Sequence, residues 1–210
     1  MKFQRGGFTL VEQLVVLSVV LALVSVGFHV HRNIRTRTDA MRCVVNLNRL
    51  GTAMRLYAAD NDGRFPQSVH QRKPWTVAVG PYLSSTNLLR APGDPHPARA
   101  VSYAVNDYLT ESPAGARDLD YSRVARITRP GETMHLAMCQ LTYEGSDHFH
   151  FAGERLNELT FQSQVLVKAY RDAAGYLFAD GHAELLPWNE VRQRIRRSDS
   201  RLVNPGGPNP

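Results

Sequence analysis

The chain has 210 residues, of which 43% are hydrophobic and 21% charged, and its formal net charge is +6. One domain of common size, about 100 to 150 residues, fits this length together with additional segments. The two cysteines, Cys43 and Cys139, lie far apart, which excludes a metal site of the Cys-x-x-Cys type. They form either one disulfide in an exported domain or two small buried apolar side chains, and both alternatives remain open.

The N-terminal segment differs from the rest of the chain, because residues 8–28 hold a single charge, Glu12. A conventional secretory signal has its cleavage site after the apolar stretch, whereas here a Gly-Gly pair precedes it. Cleavage after Gly7 would therefore leave the apolar helix on the mature protein. About 21 residues at 1.5 Å each reach roughly 30 Å, the thickness of a bilayer hydrocarbon core. We predict a cleaved leader over 1–7 and a transmembrane or filament-core helix over 8–28.

Glu12 is the residue that a simple membrane anchor does not explain. A carboxylate inside an apolar helix costs of the order of 2.5 to 3.5 kcal/mol unless it has a partner. Cleavage after Gly7 would create an ammonium group on Phe8, which the Glu12 carboxylate of a neighbouring subunit could neutralise. The sequence therefore predicts that processing creates the contact between subunits.

The six residues 7–12, Gly-Phe-Thr-Leu-Val-Glu, resemble the prepilin cleavage and methylation motif of type IV pilins and type II secretion pseudopilins. The resemblance implies that a prepilin peptidase cleaves between Gly7 and Phe8 and that the new N-terminus on Phe8 is methylated. It also implies that Glu12 sets the register of subunits in a filament. The expected location is the bacterial inner membrane, as a single-pass protein whose C-terminal domain is periplasmic, or extracellular in a filament.

Arginines that follow the apolar stretch conflict with this orientation. Arg32, Arg35 and Arg37 outnumber the basic residues before it, and the positive-inside rule would place the domain in the cytoplasm. The orientation is therefore an implication of the resemblance and not of the charge pattern.

A second helical half is predicted after the apolar stretch. Apolar residues recur at spacings of four and three along 43–57, as expected for one face of a helix. No proline interrupts residues 8–59, so we predict one long helix with an amphipathic continuation over 29–60. Gly63, which tolerates positive φ, is expected at its end.

The remaining sequence predicts a globular α+β domain over 61–197, so that the whole is a pilin-like α+β protein with a long N-terminal helix packed on a small antiparallel sheet. Asp180 and Gly181 are expected to form a two-residue type I′ hairpin turn, and Asn189 to cap a helix that ends near Arg196. A short helix is expected over 75–83 and a disordered tail over 198–210. The predicted strands are 101–106, 134–141, 165–170, 175–179 and 182–186.

The resemblance extends to two further blocks. Residues 43–66 are similar to the stretch after the anchor in a large pseudopilin subfamily, and residues 178–182, Phe-Ala-Asp-Gly-His, are similar to its closing His-x9-Asp-Gly motif. Two positions depart from the pattern. Tyr170 stands ten residues before Asp180 in place of the histidine, and Ala91-Pro92 stands where relatives often have Cys-Pro, so metal or disulfide roles at those positions are not expected.

His148 and His150 are the candidates for binding a transition metal. Their alternation would place both imidazoles on one side of a strand, and His135 or Glu144 could supply a third ligand. Two exposed loop histidines are the favoured alternative. No Gly-x-Ser-x-Gly elbow, phosphate loop or His-Glu-x-x-His helix occurs, so we predict no enzyme, no cofactor and no metal.

These patterns favour a structural subunit of a type II secretion-like or type IV pilus-like filament. Its expected partners are further copies of itself, the prepilin peptidase, an inner-membrane assembly platform and membrane lipid. Two alternatives remain: an adhesive or DNA-uptake minor pilin, and a membrane-tethered metal-dependent enzyme. DNA would bind arginine clusters, but a solvated helix face is the favoured interpretation of those clusters, so nucleic acid is not expected. The clusters are Arg32, Arg35, Arg37 and Arg42, and Arg192, Arg194, Arg196 and Arg197.

Overall fold

The computed structural model describes residues 9–69, 73–96, 98–111, 120–143, 147–152 and 156–207. It divides into two compact units, Met1–Thr38 and Asp39–Pro210. Helix α1 (Leu10–Asp60) has 51 residues and contributes to both. The predicted single long helix is therefore confirmed over these residues.

Helix α1 ends as the sequence predicts. Asp62 and Gly63 both adopt positive φ, 54° and 72°. The Gly63 backbone N–H donates to the carbonyl of Ala58 at 2.8 Å, which satisfies one of the carbonyls left free at the helix end.

The second unit contains a five-stranded sheet. Its strands are β1 (Tyr103–Asn106), β2 (Met134–Met138), β3 (His148–Phe149), β4 (Ala173–Phe178) and β5 (Ala183–Pro187). Their order in the sheet is β3-β1-β2-β4-β5. Four strands pair antiparallel, and the two-residue edge strand β3 runs parallel to β1. The α+β class and the small antiparallel sheet are thus confirmed. The further helices are α2 (Trp75–Val79), α3 (Glu158–Gln164) and α4 (Trp188–Arg196).

Apolar side chains cover both faces of the sheet. On one face, Cys43, Leu47, Leu50 and Met54 of α1 pack against alternate residues of β1, β2 and β4. On the other face, residues of α3, α4 and the C-terminal segment pack around Tyr176. Since side chains alternate along a strand, successive residues of β4 enter different cores.

The prediction of a strand over 165–170 is wrong. Val165 forms only an isolated bridge with Cys139, and Tyr170 forms another with Ala173. Between them, residues 167–169 form a turn that leads into β4. The β-branched residues that suggested a strand are buried here by packing, since Val165 and Val167 belong to the core.

The C-terminal predictions need two further corrections. Helix α4 begins at Trp188 with Pro187 as its N-cap, so Asn189 is not the cap. The tail predicted to be disordered is ordered over 198–207, where Leu202 and Val203 are 2% and 1% exposed. The Met134 backbone N–H donates to the Leu202 carbonyl at 2.8 Å, and the Asn106 side chain donates to the Val203 carbonyl at 2.7 Å.

Candidate functional site

The first unit presents an apolar helix surface. Large apolar side chains from Leu10 to Ile34 are about half exposed or more. By length and composition this helix could cross a membrane. Gly7 and Phe8, where cleavage and methylation are predicted, lie outside the described residues.

Glu12 takes part in a capping arrangement at the start of α1. The carbonyl of Thr9 accepts the first helical hydrogen bond, from Gln13 at 3.1 Å, so Thr9 is the N-cap. The Thr9 backbone N–H and hydroxyl both donate to Glu12 Oε2 at 2.8 Å, and the Glu12 N–H donates to the Thr9 hydroxyl at 3.3 Å. This is a capping box, and the Thr-x-x-Glu spacing in the sequence is its signal. Glu12 therefore has a structural partner within its own chain, which the sequence reasoning missed.

The hairpin at Asp180 and Gly181 joins β4 to β5, but it is not a type I′ turn. Only Gly181 adopts positive φ, 91°. The Gly181 N–H donates to the Phe178 carbonyl, and the Phe178 N–H donates to the His182 carbonyl, each at 2.9 Å. The loop therefore has three residues, with a turn followed by a glycine bulge. A three-residue loop needs only one residue of positive φ, and Gly181 supplies it.

This hairpin lies against the second half of α1. Arg55 donates to the Asp180 carbonyl at 3.2 Å, and the Ala183 N–H donates to the Asn48 side chain at 3.1 Å. A Cβ atom on Gly51 would lie 2.6 Å from the Gly181 carbonyl oxygen, closer than any real contact. The two blocks that carry the family resemblance, 43–66 and 178–182, therefore pack against each other.

The two positions that depart from the family pattern are also in contact. The Tyr170 hydroxyl donates to the Pro92 carbonyl at 2.7 Å. Cys43 lies beside Tyr170 and shares a hydrogen bond of 3.5 Å with the Tyr103 hydroxyl. At the two positions that depart from the family pattern, the structure therefore has a hydrogen bond between a tyrosine and a backbone carbonyl.

Both cysteines are free thiols in the structure, which decides between the two alternatives for them. Cys43 lies in the core beneath α1 and Cys139 in the core on the other face of the sheet. Burial raises the pKa of both thiols, that of Cys139 to about 12, so neither is a nucleophile near neutral pH.

The predicted histidine pair lies close together, and the preferred interpretation as two exposed loop residues is wrong for His148. His148 is buried in β3, and its Nδ1 lies 2.9 Å from Asp147 Oδ1. The rings of His148 and His150 are 4.6 Å apart, and His150 Nδ1 lies 2.7 Å from the Tyr143 hydroxyl. Of the proposed third ligands, His135 is buried against Phe65 and Glu144 lies outside the described residues. Among the described residues no group of three His, Cys, Asp or Glu side chains could hold a metal ion.

The C-terminal arginines are held by carboxylates. Glu158 lies 3.0 Å from Arg192 and 2.5 Å from Arg196. Arg194 pairs with Glu184 and Glu190, and Arg197 with Asp199. A phosphate chain would have to displace these partners, so the arrangement gives no support to DNA binding here.

Two features stand out among the described residues: the exposed apolar part of α1, which Thr9 and Glu12 cap, and the hairpin at Gly181 that packs against α1. In comparisons with known proteins, no protein-family model, no curated protein and no solved structure matches the chain.

Proposed function

We propose that the protein is a structural subunit of a membrane-anchored filament of the type IV pilin or type II secretion pseudopilin kind. The observation that carries the proposal is the sequence Gly7-Phe8 followed by Glu12 at the start of an exposed apolar helix. The second half of the same helix packs on a small α+β domain. An exposed apolar surface of this size on a soluble protein would aggregate, so it needs lipid or other copies of the helix around it.

In this proposal a prepilin peptidase removes residues 1–7 and leaves an ammonium group on Phe8, which is then methylated. The capping box holds Glu12 Oε2 at the helix end, while Oε1 receives no hydrogen bond from the described residues. Oε1 is thus available to the ammonium group of an adjoining copy. In an apolar filament core a charge-assisted pair of this kind is stronger than in water.

When successive subunits meet through unlike surfaces and each subunit is offset along an axis, the assembly does not close into a ring. Such contacts generate a helical polymer. Glu12 of one copy and Phe8 of the next are unlike groups at different heights, so their repeated pairing produces a filament. The work of the protein is mechanical, and the domain is periplasmic or exposed on the filament.

Intact-mass spectrometry of the protein purified from membranes of a bacterium with a prepilin peptidase tests the proposal. The expected mature chain begins at Phe8 and carries one added methyl group. Gly7→Val is the control and is expected to keep the leader. A mature chain that retains Met1 in a cell that processes its own prepilins would overturn the proposal.

A further inference from the structure

A ring of basic side chains follows the apolar part of α1. We call His29, His31, Arg32, Arg35 and Arg37 the basic collar. All five side chains are exposed. The sequence contains no acidic residue between Glu12 and Asp39. The collar therefore carries positive charge within a stretch that has no carboxylate of its own.

The collar differs from the C-terminal arginine cluster. There, carboxylates of the same domain hold Arg192, Arg194, Arg196 and Arg197. By contrast, the side chains of Arg32 and Arg37 form no hydrogen bond or ion pair with any described residue. Guanidinium groups in this situation are available for an external anion.

The positions of the collar residues indicate what kind of anion they meet. At about 100° per residue, the three arginines of the collar leave no gap wider than about 160° around the helix, so their charges do not share one face. A protein partner or a nucleic acid would approach from one side and would need the charges on one face. A lipid bilayer surrounds a single helix on every side.

The height of the collar along the helix matches a layer of lipid headgroups. From Leu10 to Phe28 the helix is about 28 Å long, close to the thickness of the hydrocarbon core. The centre of the collar lies about 7 Å further on, and the headgroup region is about 5 to 7 Å thick on each side. Long arginine side chains reach such a layer readily.

We infer that the basic collar binds the phosphate groups of anionic phospholipids in the leaflet at the C-terminal end of the apolar span. The inference rests on the proposed membrane-spanning state of the subunit before it enters the filament. In that state each arginine near an anionic surface strengthens binding by a factor of about five. The collar then fixes the depth of the helix and adds a cost to leaving the membrane.

The test uses the full chain reconstituted in phosphatidylcholine vesicles with spin-labelled phosphatidylglycerol or spin-labelled phosphatidylcholine as the probe. Electron paramagnetic resonance measures the fraction of each probe immobilised at the protein. The wild-type protein is expected to prefer the anionic probe, and high salt should weaken this preference. In the double variant Arg32→Gln, Arg37→Gln, the ratio of the two immobilised fractions should fall toward one.

The double variant Arg192→Gln, Arg196→Gln is the matched control, because it removes the same charge from paired arginines and should keep the preference. Equal immobilisation of both probes by the wild-type protein would overturn the proposed lipid binding. An equal loss of lipid preference in the control variant would overturn it as well. If the collar variant changes self-association but keeps the lipid preference, the collar makes contacts between protein copies and the proposed lipid binding is wrong.

Flotation of the vesicles separates the failure of this inference from that of the proposed function. If the chain floats with the vesicles and begins at Phe8 in cells, but shows no lipid preference, only the inference about the collar is refuted. If the chain does not insert into vesicles, both the proposed membrane span and the inference about the collar are refuted.

Discussion

Glu12 has a partner in its own chain, Thr9, and in the proposed filament it gains a second one on a neighbouring copy. Its burial in an apolar helix would be costly if the carboxylate had no partner. The structure shows that Thr9 supplies two hydrogen bonds to it within the same chain. These hydrogen bonds reduce the free-energy cost of placing the carboxylate in an apolar environment before any assembly. The proposed contact with a neighbouring subunit would then bring a positive charge to a carboxylate that is already held in place.

His135 is buried in the domain and its ring packs edge-on to Phe65 at 4.4 Å. Its Nε2 has no hydrogen-bond partner among the described residues. Burial lowers the pKa of His135 from 6.5 to about 3. The folded protein therefore keeps this ring neutral at pH values where the unfolded chain takes up a proton.

This difference predicts a pH-dependent stability. The stabilisation is complete above pH 6.5 and is lost as the pH falls from 6.5 toward 3, at about 1.4 kcal/mol per pH unit. At pH 5 the free energy of unfolding should be lower by about 2 kcal/mol than at neutral pH. Denaturant titrations of the full chain in detergent between pH 5 and pH 7.5 measure this change.

The variant His135→Leu should flatten the dependence over that range, whatever its effect on absolute stability. Val77→Ala is the control, because Val77 is exposed and carries no titratable group, so its substitution should leave the slope unchanged. A slope in His135→Leu equal to that of the wild-type protein would contradict this role of His135.

Helix α1 and strand β4 approach each other closely at two glycines. A Cβ on Gly175 would lie 2.8 Å from the sulfur of Cys43 and 2.9 Å from Leu47 Cδ1, and Gly51 faces the hairpin at Gly181 in the same way. The missing side chains let the helix lie directly on the strand. At the level of elements, this contact positions the domain on the second half of α1.

The substitution Gly175→Ala should therefore destabilise the domain by about 1 to 3 kcal/mol, because the added methyl group forces Cys43 and Leu47 to move. For a domain of this size each kcal/mol lowers Tm by about 2 to 4 °C. Thermal unfolding followed by circular dichroism measures the shift. Gly80→Ala is the control, since no atom lies within 4 Å of a Cβ built there. Equal Tm values for the two variants would show that the close approach does not limit the packing.

The elements with strong sequence signals were predictable. Proline-free length and spaced apolar residues predicted α1, and the positive φ at Gly63 followed from its place after the helix. Strand β3 was not predictable, because its two residues are too short for any periodicity. The error over 165–170 arose because β-branched residues also occur in buried turns. The order of the tail over 198–207 depends on contacts with β1 and β2, far away in sequence.

The candidate site was predictable only in part. The spacing of Gly7, Phe8 and Glu12 gave the proposed processing site, but the capping role of Thr9 was overlooked although Thr-x-x-Glu is its signal. The contact between the hairpin and α1 joins residues more than a hundred positions apart. No local pattern in the sequence could place them together.

At the scale of the whole molecule, the two halves of α1 have different surroundings. In the proposed function the exposed half offers its apolar surface to lipid or to other copies, while the other half is buried against the sheet. Assembly therefore need not disturb the core of the domain. The collar belongs to the exposed half and, in the proposed function, would have to leave the headgroup layer before a subunit enters a filament.

In the proposed filament, the charge of Glu12 on one copy pairs with the processed N-terminus of the next. Glu12→Gln tests it most directly, because glutamine preserves the capping box but removes the charge. The measurement is the amount of sedimentable filament in cells that supply the peptidase and the assembly platform, with intact mass as the check on cleavage. We predict that Glu12→Gln is cleaved to Phe8 but yields little or no filament. Filaments of wild-type amount and helical repeat from Glu12→Gln would contradict the account.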